Sequence, residues 1–311
     1  MKPGVSFPDF YDAERVGALY APDTAAAIRA GNGLDLPPAE QDRPRVALML
    51  VDAQVDFIHR DGALSVPGAI EDTRRTIDWI FHNLSRITAI AASLDSHYPN
   101  QIFFPSWWVD STGAHPEPFT PVTSRELDVG RWRPLFEPAW SIEYAHRLEE
   151  EARKQLMIWP YHTMLGTSGH TISSALYEAI VFHAAARRTQ PRFVLKGTLA
   201  KTEFYSLLEP EVPVPEDPSG RLNEAFLGEL LSYDSIYIAG QAKSHCVLET
   251  AASIVRRYGD QPEVMAKLHI LTDCTSSVAH PEIDFEARAN ETLDRFSGAG
   301  VRLVASADPV D

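Results

Sequence analysis

The feature that most constrains this chain is a series of short, almost uninterrupted apolar runs. They read "RVALMLVD" (45–52), "ITAIAASLD" (87–95), "QLMIWP" (155–160), "RFVLKG" (192–197), "SIYIAG" (235–240), "AKLHILTD" (266–273) and "VRLVAS" (301–306). A strand with one wet face alternates polar and apolar residues, so a run that is apolar throughout fits a strand covered on both faces. Segments of helical period lie between most of the runs, at 70–84, 143–153, 171–188, 222–232, 246–258 and 282–297. Strand and helix in alternation imply right-handed crossovers. The pattern predicts an α/β protein with a three-layer Rossmann-like fold: a mostly parallel six-stranded sheet with helices on both faces. A chain of 311 residues, 44% of them hydrophobic, carries enough apolar surface for such a domain.

Two stretches depart from this rhythm. Residues 1–44 read as an N-terminal extension, in which short helical patches precede the Gly/Pro/charge-rich "GNGLDLPPAEQDRPR", a linker by composition. Residues 98–142 are too long for an ordinary βα loop and have no clear period. Loops of that length are usually functional or disordered, and the aromatic content here argues for order. This segment is expected to be a long insertion over one end of the sheet, near the active site. Its Trp107–Trp108 pair would expose an apolar patch if uncovered, so it is expected to pack on the chain's own rim or on another subunit of a homo-oligomer.

A net charge of −15 argues against nucleic acid and anionic membrane as partners. No apolar run approaches the length of a membrane span, and the opening residues are too polar for a signal peptide. Two cysteines without a C-x-x-C cannot form a disulfide framework. The expectation is a soluble cytoplasmic protein acting on a small molecule.

In open parallel sheets, ligands sit outside the carboxyl ends of the strands. Six polar residues fall there: Asp52, Asp95, His97, His162, Lys196 and Cys246. Cys246 stands between a strand and a helix, where the helix dipole favours an anion and lowers a thiol pKa. Asp52 is placed to take the thiol proton and Lys196 to stabilise the thiolate. Taken alone, each has an inert reading: a buried structural cysteine, a strand-end carboxylate, a solvated lysine with Lys201 competing for the role. Cys274 keeps the inert reading. Asp95 and His97, with His162, make a three-ligand set that leaves metal positions open. Zn2+, Fe2+ and Mn2+ all suit such a set.

Together these residues resemble the isochorismatase-like cysteine hydrolases, and among them the nicotinamidases most. "LMLVDAQVDFIHRDGALSVPGA" is similar to that family's catalytic-Asp loop, and "SLDSH" to its metal D-x-H. "WPYHTMLGTSG", "KGTLAKTEFYS" and "IAGQAKSHCVLETA" follow in the family's order. The resemblance implies that 45–311 is an isochorismatase-like hydrolase domain with an Asp52/Lys196/Cys246 triad. It implies a divalent metal, with Zn2+ ahead of Fe2+ and Mn2+, held by Asp95, His97 and His162. It also implies substrate contacts from Phe57 and Trp159, and from Ala242 in a turn with a non-proline cis peptide near Ala242–Lys243. The implied activity is a metal-containing cysteine amidohydrolase that converts nicotinamide to nicotinate and ammonia through a thioester. The alternatives are hydrolysis of another small amide, ureide or carbamoyl compound, and a catalytically silent metabolite-binding relative.

Overall fold

A computed structural model describes residues 7–310; residues 1–6 of the extension and residue 311 lie outside the described part. The central sheet is built from β1 (Val46–Val51), β2 (Ile87–Asp95), β3 (Arg192–Lys196), β4 (Ser235–Gly240), β5 (Leu268–Leu271) and β6 (Arg302–Val304). Its order is β6-β5-β4-β1-β2-β3, and every pairing is parallel. This is the predicted six-stranded α/β architecture. All six residues of β1 are buried, and successive side chains point to opposite faces. Val46, Leu48 and Leu50 join one core layer, and Ala47, Met49 and Val51 the other.

The first layer is covered by α1 (Thr24–Asn32), α2 (Ala69–His82), α3 (Pro138–Glu150) and α4 (Ser174–Arg187). The second is covered by α5 (Glu224–Leu231), α6 (Leu248–Tyr258) and α7 (Phe285–Gly298). Burial of a Leu, Ile or Phe side chain is worth about 1.5–3 kcal/mol, so two such layers are what hold the apolar runs in place. Among the described residues, no helix is long and apolar enough to cross a membrane.

The extension packs on the domain. Asp23 caps α1 by accepting the Ala26 N–H at 2.9 Å. A Cβ on Gly31 would stand 2.6 Å from the Phe182 carbonyl oxygen, so glycine lets α1 cross α4 closely. Buried Glu178 accepts the Tyr20 hydroxyl at 2.8 Å and the Asp23 N–H at 2.7 Å. The stretch that reads as a linker also touches the core: Ala39 is buried and Asp42 pairs with buried Arg187.

One run corrects the strand reading. Within 155–160, Leu156–Met157 pairs antiparallel with Pro121–Val122 and takes no part in the central sheet. It is apolar because the insertion lies over it, with the Ile158 N–H donating to Thr120 O at 2.9 Å. Burial under an ordered loop and burial inside a sheet leave the same short apolar signature. The insertion is ordered: it holds the strand pair Trp108–Val109 with Arg133–Pro134 and the short helix Ser124–Asp128, and it runs into the start of α3 at Pro138. Trp107 and Trp108 are covered by their own chain, donating indole N–H bonds to Ser141 Oγ (2.9 Å) and Ile102 O (2.6 Å).

Candidate active site

The strand ends bring the charges together. Asp95 at the end of β2 lies in register with Lys196 at the end of β3. Lys196 Nζ is 2.8 Å from Asp52 Oδ2, 2.9 Å from Asp95 Oδ1, 2.8 Å from Phe204 O and 3.6 Å from Cys246 Sγ. The glycine after this lysine is obligatory: at φ +77° it faces the site, and a Cβ there would come within 2.7 Å of Asp95 Oδ1 and of His97 Cε1. Asp52 leaves β1 at φ +43°, a conformation rare outside glycine. Ser93 anchors it by accepting the Asp52 N–H at 3.0 Å and donating its hydroxyl to Oδ1 at 2.6 Å.

Cys246 stands on a π-helical turn, Lys243–Val247, that leads into α6. Such turns are rare and gather at functional sites. The non-proline cis peptide lies at Gln241–Ala242, one bond before the expected position.

Burial pushes the Cys246 thiol well above its usual pKa; Lys196 opposes this and Asp52 adds to it. The helix-end argument for a lowered thiol pKa is therefore overridden by desolvation. Burial likewise raises Asp52 against the pull of Lys196. Burial works against the Lys196 ammonium too, but Asp52 and Asp95 win and push its pKa up. The resting site is a charged lysine between carboxylates with a neutral thiol beside it.

Asp95 Oδ2 is 2.8 Å from His97 Nε2 and 3.6 Å from His162 Nε2. Both rings are oriented from behind: His97 Nδ1 donates to Gly197 O at 3.1 Å and His162 Nδ1 to Pro160 O at 2.7 Å. That fixes the tautomers so that two imidazole lone pairs and a carboxylate converge, their ligand atoms within 4.8 Å of one another and all buried. Three acceptors facing one point need a cation or extra protons between them. The donor set fits a divalent metal.

These residues open onto a cavity of about 40 Å³. Phe57 and Trp159 line it together with Ala242, Cys246 and the metal set, so the structure brings all nine sequence-predicted residues except Asp52 and Lys196 to its wall. Those two stand directly behind Cys246 and Asp95. The remaining wall was not foreseen: Leu64, Phe103, Glu203, Phe204, Tyr205, His245 and Val278. Glu203 and Tyr205 sit inside the quoted "KGTLAKTEFYS", seven and nine residues after Lys196, without a role assigned to them. Gln54 and Asp56 were also missed. Gln54 clamps the Asp95 backbone at both N–H and C=O (2.8 Å each), and Asp56 accepts the Thr163 N–H at 2.7 Å, beside His162.

No family model matches the sequence, and no curated protein matches it. Solved structures do share its fold. A yeast nicotinamidase bound to the inhibitor nicotinaldehyde is similar at 20% identity and a TM-score of 0.55, over 84% of this chain and 99% of that one. A nicotinamidase/pyrazinamidase from Acinetobacter baumanii is similar at 18% identity and a TM-score of 0.56, over 86% and 99%. A protein from L. infantum in complex with nicotinate follows at 20% and 0.51, over 86% and 95%. The chain has the fold of these nicotinamidases.

Proposed function

We propose that the protein is a metal-dependent cysteine amidohydrolase acting on a small, flat carboxamide, with nicotinamide the leading substrate. The observation that carries this reading is Lys196 Nζ held within 2.9 Å of two buried carboxylates and 3.6 Å from a thiol at a cavity wall. The lysine fixes both acids in place, and the thiol beside it faces the cavity.

The amide would lie between Phe57 and Trp159 with its carbonyl carbon over Cys246. Asp52 takes the thiol proton as Sγ attacks, and the Lys196 ammonium stabilises the developing thiolate. Asp52 then returns that proton to the departing nitrogen, so ammonia leaves and a thioester remains. Water, deprotonated by Asp52, adds to the thioester; the acid departs and the proton returns to sulfur. The balance is one amide and one water in, one acid and one ammonia out. Asp95, His97 and His162 would hold the metal, with Zn2+ ahead of Fe2+ and Mn2+; when bound, it supplies a Lewis acid that anchors a lone pair of the substrate.

Two findings support a flat substrate. The cavity is narrow and mostly aromatic, and the ligands bound to two proteins of this fold are nicotinaldehyde and nicotinate. The test is ammonia release by metal-loaded protein across a panel of small amides and ureides. Release from nicotinamide that saturates with substrate is the expected result. No ammonia from any member of the panel would overturn the reading.

A further inference from the structure

Trp159, Tyr205 and His245 have space on both sides. On one side lies the inner pocket with Cys246, and on the other a larger outer cavity of about 620 Å³ bordered by residues 149–159 and α7. The three rings form a partition, His245 standing edge-on 5.3 Å from Trp159 and 5.3 Å from Tyr205. Trp159 and Tyr205 are fixed from behind: the indole N–H donates to Tyr205 Oη at 3.0 Å, and the Tyr205 hydroxyl donates to Glu203 Oε1 at 2.5 Å.

His245 is held at one nitrogen only. Its Nδ1 lies 2.8 Å from Ser244 Oγ, an oxygen that already accepts the Val278 N–H at 3.1 Å. With the Ser244 hydroxyl donating to Nδ1, the imidazole proton sits on Nε2. Burial, followed by the Lys154 charge, pushes the imidazole down to about 3, so the ring is neutral. Among the described residues, Nε2 has no hydrogen-bond partner. The partition presents a single N–H donor with nothing to receive it.

The charges around the outer cavity say what kind of acceptor suits it. Lys154 is engaged by Glu249 at 2.8 Å and Glu211 at 3.4 Å, and Glu249 also meets Arg256 at 3.4 Å. Glu149 is occupied by the Ser124 N–H and hydroxyl at 2.9 and 2.6 Å. Glu203, behind the partition, is pushed up to about 8 by burial and carries little charge at neutral pH. The guanidinium groups of Arg153 and Arg288 line the cavity without a hydrogen bond or ion pair among the described residues. Among the described lining residues, these two guanidinium groups are the cations without an anionic partner.

We propose that the inner pocket and the outer cavity form one extended substrate site, in which His245 Nε2–H, Arg153 and Arg288 select an amide carrying a carboxylate at the end remote from the reacting carbon. This rests on the amidohydrolase reading and narrows it. Within that reading nicotinamide occupies the inner pocket alone, and an amide that also carries a remote carboxylate gains the contacts beyond the partition.

The probes are benzamide and 4-carbamoylbenzoate, which share a ring and differ in the remote carboxylate. Wild type should favour 4-carbamoylbenzoate by about tenfold or more in kcat/KM, the scale of a charge-assisted contact. The ratio should fall towards one in His245→Phe and in Arg153→Gln/Arg288→Gln, and should shrink with added salt. A ratio of one or below in wild type, or a ratio unmoved in the arginine double variant, overturns the proposal. Should His245→Phe fail to fold, the surface arginine variant carries the test. Calorimetry with terephthalate and benzoate separates this inference from the chemistry. Tighter terephthalate binding that the arginine variant abolishes, without ammonia from either amide, keeps the subsite and sinks the amidase. Equal turnover of both amides keeps the amidase and sinks the subsite.

Discussion

Lys196 and Glu203 lie seven residues apart and are 3% and 1% exposed, yet the structure treats their charges in opposite ways. Around Lys196, two carboxyl groups stand within 2.9 Å of one ammonium, whose attraction opposes the upward push of burial on Asp52. Around Glu203, the near groups are the Tyr205 and Tyr144 hydroxyls and the Trp159 indole, at 2.5, 3.5 and 3.4 Å. Among the described residues no cation touches that carboxyl, and burial raises it to about 8. Equal burial thus gives a charged wall where a cation is in contact and a neutral wall where only dipoles are. The charged wall carries one more carboxylate than ammonium, and the Asp95/His97/His162 set is where a metal ion would cancel the excess.

The largest effects should come from breaking the charged wall. Cys246→Ala should abolish ammonia release while leaving the thermal midpoint nearly unchanged, since it deletes a single sulfur at a cavity wall. Lys196→Met should abolish release and also destabilise the fold by about 3–5 kcal/mol, because it leaves two carboxylates buried without their cation. Chemical denaturation of the two variants distinguishes them. Equal stability losses would mean that Lys196 does not hold the carboxylates ionised.

Next come the metal ligands. Metal-loaded wild type should bind about one divalent transition metal per chain, and His97→Ala or His162→Ala should lose most of it, measured by elemental analysis. Metal-free wild type after reconstitution would leave the excess negative charge to protons, and the contrast between the walls would weaken.

A smaller effect sharpens the contrast between the two thiols. Cys274 is fully buried and pushed up to about 12 by that burial, whereas Cys246 faces the cavity next to Lys196. A small alkylating reagent should modify Cys246 at least about tenfold faster, read by peptide mass spectrometry. Equal rates would mean that the cavity does not admit small molecules.

The charged wall was legible in the sequence because each of its members follows an apolar run, and strand ends in a parallel sheet share one rim. His162 reaches the same rim by another route. The run before it is not a strand of the sheet; residues 159–163 are carried to the rim by bonds from Trp159 N–H to Phe103 O (2.8 Å) and from His97 N–H to Thr163 O (3.2 Å). The neutral wall was not legible. Glu203 takes its surroundings from Tyr144, 59 residues earlier, on a helix that continues an insertion without any period. His245 adjoins the nucleophile in sequence, and adjacent residues on a helix start point apart. That divergence is what turns its ring into the partition while Cys246 faces the pocket.

The neutral wall can be tested through the pH dependence of stability. Glu203 has a pKa of about 8 in the folded protein against an ordinary value of 4.5, with burial the main cause. Between those values the folded state binds a proton that the unfolded state has released, so stability falls as pH rises across the interval. The contribution is fully present below about pH 4.5 and is lost as pH passes about 8. The shift sets an upper limit of roughly 5 kcal/mol, since each unit is worth about 1.4 kcal/mol. Lys154, Glu211 and Glu249 sit in the same network and will absorb part of it. Glu203→Gln keeps the shape and cannot ionise. It should match wild type near pH 5, exceed it near pH 8.5, and show a flatter urea-midpoint profile between them. If the profiles of wild type and the Glu203→Gln variant run parallel over that range, Glu203 is ionised in the folded state, and the difference between the two walls disappears.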